Sequence, residues 1–198
     1  MNKTAVTSLC ALAILASVLA GFLDASYAQG PALDVTLPNP DGRDPVFDQS
    51  NAGQPISIEF LDLATSLQIS LDDSAGTLRL INFWATWCTP CIRELPSLAA
   101  LAHKYPSVDF QVIPISLDQK GAPFVPSFIS DLDLQGLTWY VDPTATSGQA
   151  ADVFVLPTSV IIDANGRELG RIVGSADWES TAALALVDIL LGRRAAQD

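Results

Sequence analysis

Cysteine is scarce in this chain: it occurs three times in 198 residues, at positions 10, 88 and 91. That excludes a fold stapled by several disulfides. It also excludes a four-cysteine zinc site, since a neighbouring pair fills only half of a tetrahedral shell. Basic residues are scarce too, with 10 Lys and Arg against 22 Asp and Glu. A formal net charge of −12 argues against nucleic acid or anionic lipid as a partner, because both need basic patches. The acidity reads first as a solubility feature and second as a means of steering a basic protein partner. His103 is the single histidine, and late in a helical stretch it reads as a cation welcomed by the dipole end, not as a ligand or a base. There is no internal repeat and no low-complexity tract.

The apolar run from Leu9 to Leu23 falls short of the ~20 residues of a membrane-spanning helix. Lys3 precedes it, and Ser26-Tyr27-Ala28 supplies the small-x-small pattern that comes before a signal-peptidase cut, here near Gln29. Residues 1–28 therefore read as a signal peptide, with an uncleaved membrane anchor as the alternative, and the mature chain as exported and periplasmic. Cys10 has no small residue before it, and the apolar run follows it instead of leading to it, which disfavours a lipoprotein. Cleavage leaves Cys88 and Cys91 as the only thiols. A dithiol working as a reductant in an oxidising compartment has to be recharged by another protein.

Residues 29–53, rich in Pro, Gly, Asp and Asn, predict a flexible linker. Residues 54–192 predict one α/β domain, and 193–198 a short tail. Ile56 to Phe60 and Leu67 to Leu71 alternate as two strands of an N-terminal β-hairpin. Arg79 to Trp84 is a buried strand, Cys88 to Lys104 a helix kinked at Pro96, and Val108 to Ser116 a second buried strand. Pro123 to Leu132 reads as a crossing helix and Thr138 to Val141 as an extra strand, an alternation that yields parallel β–α–β pairing. Thr158 to Asp163 and Arg167 to Val173 flank Asn165-Gly166, which predicts a type I′ hairpin. Asp177 predicts the cap of a last helix that turns Trp178, Ala182, Leu186, Ile189 and Leu190 to the sheet, with Gly192 and Arg193-Arg194 at its end.

Cys88 and Cys91 carry the chemistry. The apolar run Leu78 to Phe83 ends in Trp84-Ala85-Thr86-Trp87-Cys88-Thr89-Pro90-Cys91, a strand that delivers two thiols to a helix start. Unpaired N–H groups and the positive dipole end stabilise an anion there, so Cys88 is expected to ionise below the ordinary thiol value of roughly 8.5. Pro90 suits the first turn, and Cys91 falls one turn on, on the same face. A staple closing so short a loop would stabilise little, so the pair reads as redox-active, with Cys88 attacking at an exposed tip and Cys91 resolving from deeper. Glu94 is a candidate base for Cys91. Trp84 reads as packing, Trp87 as divided between packing and contact with a substrate, and Thr89 as shaping the surroundings of the sulfurs.

The stretch Ile81 to Pro96 resembles the active-site segment of the TlpA/ResA-like family, exported thioredoxin-like reductants that include CcmG/DsbE-like proteins. Val155-Leu156-Pro157-Thr158-Ser159-Val160-Ile161-Ile162-Asp163 resembles that family's second motif, and the likeness runs from about Gln54 to Gly192. It implies a thioredoxin-like fold, a central mixed sheet flanked by helices with an N-terminal hairpin and a central insertion. It implies a cis bond at Leu156-Pro157 beside the thiols, where Leu156 and Pro157 cradle an extended substrate. Glu94 occupies the position of a glutamate that tunes thiol acidity, while Asn82 stands where thioredoxin has a buried aspartate. The activity implied is thiol-disulfide exchange, probed by a disulfide-containing protein substrate and fed by an upstream membrane electron-transfer protein, in cytochrome c biogenesis or copper-site assembly. No cofactor and no resident metal is implied. Two other classes stay open at this point: a Cu(I)-binding metallochaperone module using both thiols, and a peroxiredoxin-like peroxidase.

Overall fold

The computed structural model describes residues 32–192, apart from 41, 75, 120, 121, 133, 135 and 136. The signal peptide, Cys10, Arg193-Arg194 and the tail lie outside these residues. The described residues from Leu33 to Gly192 belong to one unit.

An antiparallel hairpin comes first in the sheet, β1 at Glu59–Asp62 and β2 at Gln68–Ser70. It is shorter than the alternation predicts: Ile56 and Ile58 are buried in the core but lie outside the strand. Then come β3 at Leu78–Trp84, α1 at Thr89–Lys104, β4 at Phe110–Ser116, α2 at Val125–Leu132 and β5 at Tyr140–Val141. A short α3 at Thr146–Ala150 leads to β6 at Thr158–Ile162, β7 at Glu168–Val173 and α4 at Thr181–Leu190. Across the sheet the order is β2-β1-β5-β4-β3-β6-β7. The β3–β4 and β4–β5 pairs are parallel, and β1–β5, β3–β6 and β6–β7 are antiparallel.

Every residue of β3 is buried, because the strand is central and both of its faces are covered. Leu80 and Trp84 join the layer that contains Leu95, Leu98 and Leu186 from α1 and α4, whereas Ile81 and Phe83 join Ile113, Ile115 and Val160 on the other side. Asn82 shares the face of Leu80 and Trp84 and so is turned toward α1, where an apolar side chain would otherwise pack. Arg79 is also inside, its guanidinium donating to the carbonyls of Leu71 and Asp163. Burial holds that guanidinium below its ordinary value, against the attraction of Asp163 and Asp72.

Four sequence expectations are corrected here. Residues 33–53 are not a flexible linker but a strap laid on the domain. Leu37 is fully buried and Phe47 is 3% exposed. Asp48 and Arg171 exchange backbone hydrogen bonds, which covers the β7 edge. Composition misled because two apolar residues at the right places outweigh many polar ones once a sheet edge offers partners. The hairpin turn is not type I′, since Gly166 has φ 75° while Asn165 stays out of the left-handed region. Asp163 Oδ1 closes it instead, accepting from the Asn165 and Arg167 amides. Ser180, not Asp177, caps α4, taking the Ala183 amide. The buried face of α4 is Ala183, Leu186 and Val187, and Ile189 is exposed.

Candidate active site

β3 ends at Trp84 and the chain turns sharply, with the Cys88 amide donating to the Ala85 carbonyl at 3.1 Å. Cys88 is the N-cap of α1, and its Sγ accepts from the Cys91 amide at 3.3 Å. The cap is a sulfur where Ser, Thr, Asp or Asn usually stands. Pro90 sits in the first turn, where no N–H is needed. Cys88 and Cys91 form a disulfide, with S–S 2.03 Å and Cα–Cα 5.3 Å. Pro96 lies inside the same continuous helix, and His103 and Lys104 occupy its last turn.

Cys91 is fully buried and Cys88 is 6% exposed. The attacking sulfur expected at an exposed tip is therefore largely covered in the oxidised pair, and Trp87, 71% exposed, is the tip of the turn. Trp84 is fully buried and packs edge-on to Trp139 with ring centroids 5.6 Å apart.

Glu94 follows Cys91 by one helical turn and is only 4% exposed. Oε1 accepts from Asn82 Nδ2 at 2.6 Å and Oε2 from the Ala176 amide at 2.9 Å. Asn82 Nδ2 also donates to Ser159 Oγ at 3.0 Å, while its Oδ1 has no hydrogen-bond partner. Glu94 thus crosslinks β3, α1 and the segment after β7. It borders a cleft of about 80 Å³ together with Pro40, Arg93, Ser97, Ser175 and Asp177. Ser175 Oγ bonds Asn39 Oδ1, and the Asp177 amide bonds the Pro38 carbonyl, so the strap forms one wall.

The Leu156–Pro157 bond is cis. Leu156 packs against the apolar cluster that contains both cysteines, and Phe154 and Val155 just before it are exposed. Among the described residues no group of three or more His, Cys, Asp or Glu converges as a metal shell would need.

Sequence reasoning missed Asp118. Its buried carboxylate accepts from the Thr86 amide at 2.8 Å, from Thr86 Oγ1 at 2.7 Å and from Ser116 Oγ at 2.6 Å. The signal lay in strand register: Trp84 pairs with Ser116, which puts Thr86 and Asp118, two residues beyond each, side by side. Asp142, past the end of β5, is buried as well. Burial pushes its carboxyl up, yet hydrogen bonds from the side chains and amides of Ser147 and Thr144 hold it below its ordinary value.

A family model described as AhpC/TSA matches residues 52–167. The thiol-disulfide oxidoreductase ResA of Bacillus cereus (strain ZK / E33L) is 33% identical over 112 residues, which cover 57% of this chain and 64% of that protein. The match therefore spans less than two thirds of that relative's length. A crystal structure described as a thiol:disulfide interchange protein DsbE from Chlorobium tepidum superposes with a TM-score of 0.63 at 26% identity, over 74% of this chain and 99% of the other. Another, described as a thiol-disulfide oxidoreductase from Bacteroides vulgatus, gives 0.61 at 28% identity, over 70% and 96%. The seven-stranded mixed sheet flanked by helices is the thioredoxin-like fold of these neighbours, and by a match over more than half of its length the chain belongs to the AhpC/TSA family.

Proposed function

We propose that this chain is an exported thiol-disulfide oxidoreductase that reduces disulfides in partner proteins. The observation that carries the reading is the Cys88–Cys91 disulfide at the first turn of α1, where the Cys91 amide already donates to Cys88 Sγ. Once the pair is reduced, the same amide and the open helix end favour a thiolate at Cys88.

The Cys88 thiolate attacks one sulfur of the partner's disulfide. The bond between the partner's sulfurs breaks, its second sulfur leaves as a thiolate and takes a proton, and a mixed disulfide forms on Cys88. Cys91 then gives its proton to Glu94 and attacks Cys88 Sγ. The partner's first sulfur departs as a thiolate, and the Cys88–Cys91 bond is restored. Glu94 passes the proton on through the cleft it borders. One partner disulfide is reduced for one pair of thiols oxidised, and an upstream dithiol protein returns the two electrons. Trp87 and the Leu156-Pro157 backbone offer the apolar and main-chain contacts for an extended segment of the partner.

The relatives' names, thiol-disulfide oxidoreductase and thiol:disulfide interchange protein, support thiol-disulfide exchange, and the signal-peptide pattern of residues 1–28 supports work outside the cytoplasm. Cytochrome c biogenesis or copper-site assembly is the setting we assign, with a periplasmic location and a membrane electron-transfer protein as donor. Expression of a Cys91→Ser variant in the native cell envelope tests it. Proteins covalently trapped on Cys88, released by reductant, are expected. Rapid turnover of peroxide by the purified protein with nothing trapped would overturn it.

A further inference from the structure

Reduction removes the covalent tie that holds Cys88 Sγ over the helix start, so in the dithiol form only non-covalent contacts keep the sulfur in place. The Ala85–Cys88 turn is tied to the end of β4 through Thr86. Thr86, its second residue, gives both its amide and its hydroxyl to Asp118. Asp118 is in turn fixed by Ser116, which donates to the carboxylate and accepts from the Asp118 amide at 3.3 Å. Because the Leu117 amide bonds the Trp84 carbonyl at 2.8 Å, the β3–β4 register continues into both loops, and the anchor is built by the sheet.

We propose that Asp118 is the positioning residue of the reactive turn, holding Thr86 so that the reduced Cys88 sulfur stays seated on the first amides of α1. It acts through Thr86, two residues before Cys88. The negative charge of Asp118, held against Thr86, opposes ionisation of the Cys88 thiol, so its geometric and electrostatic contributions to Cys88 have opposite signs. Substitution separates them. In Asp118→Asn the amide oxygen still accepts from the Thr86 amide and Ser116 Oγ, and the new NH2 donates to Thr86 Oγ1, which has free lone pairs. Geometry is kept and charge is lost. In Asp118→Ala both are lost. Among the described residues, the other titratable groups at this end include Glu94 and Arg93 on α1, Cys91, and Asp142, which is committed to its own turn.

The proposal rests on Cys88 being the attacking sulfur. The test uses the full chain carrying Cys91→Ser and follows iodoacetamide alkylation of Cys88 against pH by mass spectrometry, which separates it from Cys10. Asp118→Ala is expected to move Cys88 ionisation to higher pH and to slow alkylation at pH 7 by about three- to tenfold. Asp118→Asn is expected to react as fast as the parent or faster. Thr86→Val, which keeps the amide contact and loses only the hydroxyl, shifts in the same direction as Asp118→Ala by less, and serves if the alanine variant does not fold. Equal behaviour of the Ala and Asn variants, whether unchanged or both more acidic, overturns the positioning role. Failure of the underlying reading is distinct: it shows in the parent, as a Cys88 that ionises no more readily than an ordinary thiol.

Discussion

Replacing Glu94 by glutamine removes a proton acceptor while leaving a side chain of the same shape, and the surroundings determine how clean that substitution is. Glu94 accepts from Asn82 Nδ2 and from the Ala176 amide. The backbone amide cannot turn, so the glutamine oxygen must face it and the new NH2 must face Asn82. Asn82 Oδ1 has no partner in the present arrangement, and a half-turn of that amide brings it round to accept. The Asn82 NH2 then gives up Ser159 Oγ and faces the place where Oδ1 finds no partner, so folding stability falls by about 1–3 kcal/mol. Glu94→Leu, in contrast, strands two buried donors at about 1–3 kcal/mol each. Stability is thereby separated from chemistry. If Glu94 takes the Cys91 proton, resolution of the mixed disulfide slows about 10- to 100-fold at neutral pH in the glutamine variant, at the lower end of general-base effects. The gap narrows as the pH rises and Cys91 ionises unaided. Insulin reduction and stopped-flow decay of a fluorescent mixed disulfide read the rate, and urea unfolding reads the stability. Unchanged thiol ionisation and an unchanged rate in a folded Glu94→Gln protein would refute the assignment.

The strap gives a second prediction: Phe47→Ala costs about 3 kcal/mol in urea unfolding, and Gly170→Ala about 1–3 kcal/mol, because a Cβ there would lie 2.5 Å from Phe47 Cζ and 2.8 Å from the Asp48 carbonyl oxygen. A loss below about 0.5 kcal/mol in both, as for ordinary surface substitutions, would return residues 33–53 to the status of a tether. Asp142 carries a folded-state value below its unfolded one, so its stabilisation is full above the unfolded value of ~3.9 and is lost as the pH falls through the lower folded one. Asp142→Asn is therefore less stable than the parent at pH 7 by about 1–2 kcal/mol, and thermal melts of the two converge in acid; a gap independent of pH contradicts this. Glu168 meets Arg171 at 2.6 Å with both side chains buried. Glu168→Gln removes the main counter-charge of the guanidinium, leaving the weaker attraction of Asp152 and Asp48, and costs about 3 kcal/mol; unchanged stability in the same unfolding assay rules that out.

What the sequence made legible followed local rules. The C-x-x-C spacing, Pro90 and the apolar run before them placed Cys88 and Cys91 at a helix start, and the helix ends at Lys104 as read. β4, β6 and β7 lie within two residues of their expected bounds. Errors came where non-local partners decide the outcome. Phe47 docks because Gly170, far along the chain, leaves a gap in β7 for its ring. Asp118 looks like any loop acid until the β3–β4 register sets it beside Thr86. Asn165-Gly166 has the composition of a type I′ turn, but Asp163 offers its carboxylate to the loop amides and selects another conformation. The burial of Cys88 was also out of reach, since it depends on which residues close over the oxidised pair.

The most direct test of the central claim is the pH dependence of iodoacetamide alkylation of the reduced protein, with each cysteine followed by mass spectrometry. Cys88 is expected to react first, with half-maximal rate clearly below the ordinary thiol value of roughly 8.5, and Cys91 to lag behind it. Two sulfurs that both stay inert until the medium is alkaline would contradict it.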